Sequence, residues 1–100
     1  MAFEHWGYTF EGAWNNPNNF EAKPGVFVVW CKNGPNWSVL DVVESQDVKN
    51  SVLTHPRKDE WKKRCTAELY FATTYTPSLE QPARKELEQK IRGLSRPSCG

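Results

Sequence analysis

The most uniform apolar stretch in the chain is Val26-Phe27-Val28-Val29-Trp30-Cys31. An unbroken run of β-branched, aromatic and small apolar residues predicts a strand buried on both faces. Pro24-Gly25 opens it, and Lys32-Asn33-Gly34-Pro35-Asn36 closes it with an Asn-Gly hairpin signal. Trp37 to Val43 then reads as the returning antiparallel strand. Ser45 and Asp47 are helix N-cap types. A helix over about 46–54 places Val48 and Val52 on one face, and Pro56 ends it. A second short helix over about 60–64 carries Trp61, with Asp59 as its cap. Residues 67–75 alternate and are rich in Tyr, Phe and Thr, which predicts a third strand. Ser78 with Gln81 fits a capping box. The helix it starts, ending near Arg92 with Gly93 as terminator, aligns Ala83, Leu87, Ile91 and Leu94 in one stripe.

The first 23 residues follow a different pattern. Phe3, Trp6, Tyr8, Phe10, Trp14 and Phe20 are spread through them, interrupted by Asn15-Asn16-Pro17-Asn18-Asn19, a strong turn signal. The reading is an aromatic arm over 1–23 packed on a core domain over 24–100, with Asn18 or Asn19 capping a short helical turn. The fold class is α+β: a small three-stranded, mostly antiparallel sheet flanked by helices, in the order β-β-α-α-β-α.

Composition narrows the functional classes. A net charge of +1 over 100 residues gives no global attraction for nucleic acid, membrane or acidic substrates. The longest apolar run is too short to cross a bilayer, and the N-terminus has no signal-peptide pattern. Cys31, Cys65 and Cys99 are odd in number and widely spaced. They read as reduced thiols, Cys99 exposed, and so place the protein in the cytoplasm. The densest charge is local: Arg57, Lys58, Lys62, Lys63 and Arg64 fall within eight residues, interleaved with Trp61. With Lys49 they form the candidate surface for DNA or RNA. Asp59 and Glu60 partly cancel it, and the plainer reading is a solvated helix face.

Gly25-Val26-Phe27, then Asp41-Val42-Val43, then the helix of Lys49, Ser51 and His55, then Arg84 to Ile91 with Glu88, and a Pro97-Ser98-Cys99-Gly100 ending together resemble the GIY-YIG nuclease superfamily over roughly residues 24–100. The resemblance implies a phosphodiesterase surface built from a Tyr in each of two strands, an Arg on the following helix, a His one turn on and a metal-binding Glu. Here Phe27 and Asp41 stand at the Tyr positions, Ser51 at the Arg position, and only His55 and Glu88 keep their type. Loss of one positioned electrostatic group costs about 10²–10³ in rate, and loss of a general base about 10²–10⁴. The resemblance therefore implies a degenerate domain without ordinary nuclease turnover, acting as a binding or interaction module.

Two alternatives stand beside it. In a divergent metal-dependent endonuclease, Asp41 and Glu88, helped by His55, hold Mg²⁺ or Mn²⁺ and Lys49 supplies the missing charge. In a protein-interaction domain, Trp6, Tyr8 and Trp14 form an exposed patch. On the residues alone, the plainer readings are Asp41 as a solvated strand residue, Glu88 paired with Arg84, and His55 at a helix C-terminus.

Overall fold

The computed structural model describes residues 2–99, so Gly100 of the C-terminal stretch lies outside the described residues. The elements are β1 (Ala2–His5), β2 (Tyr8–Trp14), a 3₁₀ turn (Pro17–Asn19), β3 (Gly25–Asn33), β4 (Asn36–Ser45), α1 (Val48–Thr54), α2 (Lys58–Arg64), β5 (Glu68–Tyr75) and α3 (Gln81–Ser95). The α+β class holds, and β3 to α3 follow the expected order. The sheet, however, has five strands rather than three, ordered β1-β2-β5-β3-β4, and the pairings among the described residues are antiparallel.

The two added strands come from the aromatic arm. Trp6 and Gly7 both take positive φ, 51° and 82°, the backbone that a two-residue hairpin needs to match strand twist. Tyr8-Thr9-Phe10-Glu11 alternates, turning Phe10 inward. The irregularity between Gly12 and Trp14 then moves Trp14 to the opposite face, where it pairs with Phe71 and packs on Phe20. A one-residue shift flips a side chain across a sheet.

β3 is an interior strand, paired with the edge strand β4 on one side and the central strand β5 on the other. Its alternate residues feed two cores. Phe27, Val29 and Cys31 join Val43, Val48, Val52, Trp61 and Phe71 beneath α1 and α2. Val26 and Val28 join Phe10, Val42, Ala72 and Ile91 beneath α3. Gly25 is required by close approach: a Cβ there would lie 2.7 Å from the Thr74 carbonyl oxygen.

Several local expectations are corrected. Of the two cap types offered for α1, Asp47 takes the place, its side chain accepting from the Asn50 N–H. α2 begins at Lys58 with Arg57 at its cap, not Asp59. The 3₁₀ turn is capped by Asn16. α3 is preceded by Glu80, so Ser78 forms no capping box, and the helix runs through Gly93 to end at Arg96 in left-handed geometry. Leu94, placed in the apolar stripe, is 57% exposed. Cys31 and Cys65 are joined in a disulfide rather than reduced, and Cys99 is free but buried rather than exposed.

Candidate functional site

The helix-covered face contains an ionic centre built around Asp41. A register shift in β4, where Val29 faces Asp41 and Trp30 faces Val39, leaves Leu40 as the extra residue. A bulge of this kind re-aims the side chains beside it. The Asp41 carboxylate, far from solvated, is 0% exposed. Arg57 Nε donates to its Oδ2 at 2.7 Å and Arg57 Nη2 to its Oδ1 at 3.3 Å. Trp61 Nε1 donates to Oδ2 at 2.8 Å, Arg92 Nη2 to Oδ1 at 2.6 Å, and the Val42 N–H to Oδ1 at 2.9 Å. Burial alone would raise the Asp41 pKa. The bonds from Arg57, Trp61 and Arg92, with the Arg57 charge, overcome it and hold the carboxyl below its ordinary value.

Arg92 reaches this centre along the outer edge of β4. It donates there to the Val42 carbonyl and, through Nη1, to the Cys99 carbonyl at 3.0 Å. The same edge is closed from Val39 to Glu44. Ser98 and Cys99 N–H groups donate to Val39 and Leu40 carbonyls. Glu88 Oε1 accepts from the Glu44 N–H at 3.1 Å, and Arg84 Nε donates to the Glu44 carboxylate at 3.1 Å. Arg84, Glu88 and Arg92, spaced four apart on α3, thus form a polar seam that covers an otherwise open strand edge.

The residues singled out by sequence divide accordingly. Phe27, His55 and Asp41 do come together: His55 stacks on Trp61 at 5.0 Å, and Phe27 meets both rings edge-on. Ser51 lies one turn before His55, whose backbone N–H donates to the Ser51 carbonyl at 2.9 Å, but the Ser51 side chain does not reach Asp41. Its hydroxyl bonds to that of Ser45, four residues along β4 from Asp41, a span of roughly 13 Å. Glu88 serves the β4 edge rather than pairing with Arg84. Both Asp41 oxygens are taken by donors that carry charge or hydrogen. Among the described residues no group of three or more His, Cys, Asp and Glu is placed to hold a metal ion.

His55 Nδ1 accepts the Arg57 backbone N–H at 3.0 Å. Desolvation and the Arg57 charge depress its pKa, opposed by the charges of Asp41 and Glu88. The basic run is divided too. Arg57 is spent on Asp41, Lys58 Nζ donates to the Leu53 carbonyl, and Arg64 pairs with Glu60. Lys49 is half-buried, and only Lys62 and Lys63 face solvent without such a contact.

The opposite face carries a second feature that sequence reading missed. A cavity of about 690 Å³ opens over one face of the sheet, with lining residues from all five strands. Phe3 and His5 form one side, the small residues Gly12 and Ala13 lie between, and Trp30, Trp37 and Tyr70 form the other with Lys32. Sheet register creates the wall: Trp30 faces Tyr70 across β3–β5, and Lys32 faces Trp37 across β3–β4. Lys32 Nζ sits 5.5 Å from the Trp37 ring and 5.9 Å from the Tyr70 ring. Trp30 is held by a parallel stack on Trp6 at 5.5 Å, and its buried indole N–H has no partner. An unpaired buried donor costs about 1–3 kcal/mol. The size and the aromatic lining are those of a small-ligand site. The signal for it was the alternation Trp30-Cys31-Lys32, which puts a ring and a cation on one face.

Among the described residues no helix is long and apolar enough to cross a membrane. No family model, curated protein or solved structure matches this chain.

Proposed function

We propose that the chain is a non-hydrolytic, GIY-YIG-like binding domain whose ligand surface is the aromatic cavity, on the face of the sheet opposite the family's catalytic positions. The observation that carries this reading is the state of Asp41. Fully buried and bonded by two guanidinium groups and an indole, it neutralises cations inside the protein instead of presenting charge to a phosphodiester. Phe27 is also fully buried, so neither strand position offers a group to an attacking water. A buried network satisfied this completely favours one rigid arrangement over exchange with ligands.

The other readings find less support. A metal-dependent endonuclease using Asp41, Glu88 and His55 with Mg²⁺ or Mn²⁺ would have to displace Arg57 or Arg92 from Asp41. An interaction surface on the aromatic arm would need Trp6 free, and it is stacked on Trp30. Binding of DNA or RNA along α2 would rest chiefly on Lys62 and Lys63. The Cys31–Cys65 disulfide favours an oxidising compartment over the cytoplasm.

Incubation with plasmid and with branched DNA, in Mg²⁺ and in Mn²⁺, tests the reading. Intact DNA is expected. Cleavage that disappears in Glu88→Ala overturns it.

A further inference from the structure

We propose that the aromatic cavity binds a small planar aromatic or heteroaromatic ring bearing one anionic group, with the ring against Trp30, Trp37 and Tyr70 and the anion at Lys32. The proposal rests on the reading of the chain as a binding domain and adds the class of ligand.

Three features select this chemistry. The first is shape. Phe3 and His5 of β1 stand on one side of a strip of Gly12 and Ala13, and Trp30, Trp37 and Tyr70 on the other, so the space is walled mainly by π-surfaces. A flat ligand can stack or meet edges there. The second is charge. Lys32 is the one lysine or arginine in the lining, and among the described residues it forms no ion pair with a carboxylate. Its ammonium is held over two rings, and Glu68, its cross-strand neighbour on β5, takes the Tyr70 hydroxyl rather than the ammonium. The third is the polarity of the remaining groups. The indole N–H groups of Trp30 and Trp37 can only donate, no carboxylate or amide side chain lines the cavity, and the His5 imidazole is the one ring there with an acceptor nitrogen. The Tyr70 hydroxyl donates to Glu68 at 3.2 Å, outside that lining.

These features also separate the proposal from its neighbours. Sugar hydroxyls need acceptors as well as donors, and the lining is short of acceptors. A nucleic-acid strand needs several cations along its phosphates, whereas this cavity supplies one. A cationic ring would be repelled by Lys32.

The test uses 2-naphthoate, its neutral analogue 2-naphthamide, and cyclohexanecarboxylate, which keeps the anion without the flat ring. Maltose and a short single-stranded oligonucleotide complete the panel. Affinity is measured by calorimetry, and the site is read from the Trp30 and Trp37 indole N–H resonances. Naphthoate is expected to shift both resonances and to bind about tenfold or more tightly than either analogue, naphthamide for want of one charge-assisted hydrogen bond and cyclohexanecarboxylate for want of a stacking ring. Lys32→Met should bring naphthoate down to the level of naphthamide and leave naphthamide unchanged, which a merely structural lysine would not do. Trp37→Ala, at a 45% exposed position, should keep the fold and lose naphthoate.

Equal binding of naphthoate and naphthamide, or of naphthoate and cyclohexanecarboxylate, overturns the proposal. So does a Lys32→Met variant with unchanged affinity. Maltose or the oligonucleotide shifting the two indoles while naphthoate does not would overturn the ligand class and leave the binding-domain reading standing. A cavity silent to all five probes overturns the ligand class as well. The cleavage assay decides separately whether the non-hydrolytic reading survives.

Discussion

The two faces of the sheet solve opposite problems with the same strand. On the side of α1 and α2, β3 contributes Phe27, Val29 and Cys31 to a core closed by those helices and a disulfide, and the buried Asp41 carboxylate there is saturated with donors. On the other side, β3 contributes Val26 and Val28 to a core beneath α3, then Trp30 and Lys32 to a cavity that no helix covers. The difference teaches where function can reside. A buried polar group with every partner in place rigidifies, while an unpaired cation beside rings, reachable from solvent, is a surface left for something else.

The comparison breaks most visibly at Asp41. Asp41→Ala leaves Arg57, Arg92 and the Trp61 N–H facing one another without the anion that holds them. Removing one partner of a buried ionic cluster costs about 3–5 kcal/mol, and denaturant unfolding should register that loss. The cavity side, by contrast, should tolerate Trp37→Ala with a change below about 1 kcal/mol, because cross-strand pairs contribute about 0.2–1 kcal/mol each. A loss below about 1 kcal/mol in Asp41→Ala would mean that the ionic centre does not hold the helix face together.

Next in size is the covalent tie. Cys31 and Cys65 are 34 residues apart in sequence, and opening a loop of that length releases about 3–4 kcal/mol of chain-entropy stabilisation. Reduction should therefore lower the unfolding temperature clearly. It should do so through the helix face, since Cys65 sits at the end of α2, and leave the Trp30 and Trp37 resonances nearly unshifted. An unfolding temperature unchanged by reductant would remove the disulfide from the comparison.

Much of this frame is legible in the residues. The run from Val26 to Cys31, the Asn33-Gly34 turn and the Asp47 cap act within a few positions of one another, and local chemistry decides them. What escapes is non-local or disguised. The β1–β2 hairpin turns on Trp6 in left-handed geometry, where Asn or Asp would have been the signal. Gly93 does not stop α3, because Ser95 and Arg96 continue its bonding to the Ile91 and Arg92 carbonyls. Three widely spaced cysteines do not announce which two will meet. The candidate site divides the same way. Phe27, Asp41 and His55 lie near one another, but nothing near Asp41 in sequence reveals that Arg92, 51 residues on, will reach it. A carboxylate that reads as solvated or metal-binding is, once the α3 seam is in place, the sealed centre of the fold.

The smallest expected effect is a pH dependence confined to the helix face. His55 is neutral in the folded protein at Nδ1, which accepts the Arg57 N–H. Desolvation and the Arg57 guanidinium lower its pKa from the ordinary 6.5, against the pull of Asp41 and Glu88. A lowered value means that the folded state binds fewer protons than the unfolded chain below that pH. Stability is then fully present above 6.5 and declines as pH falls through the folded value. His55→Gln removes the titration while keeping a side chain that can accept the Arg57 N–H. Unfolding free energies measured from neutral pH to about 5, above the range where most carboxylates titrate, should fall for the parent chain and stay flatter for the variant. His5 is present in both, so the difference between the two curves isolates His55. A proton-binding midpoint for His55 above 6.5 in an NMR titration would reverse the sign and place Asp41 and Glu88, not Arg57, in control of this residue.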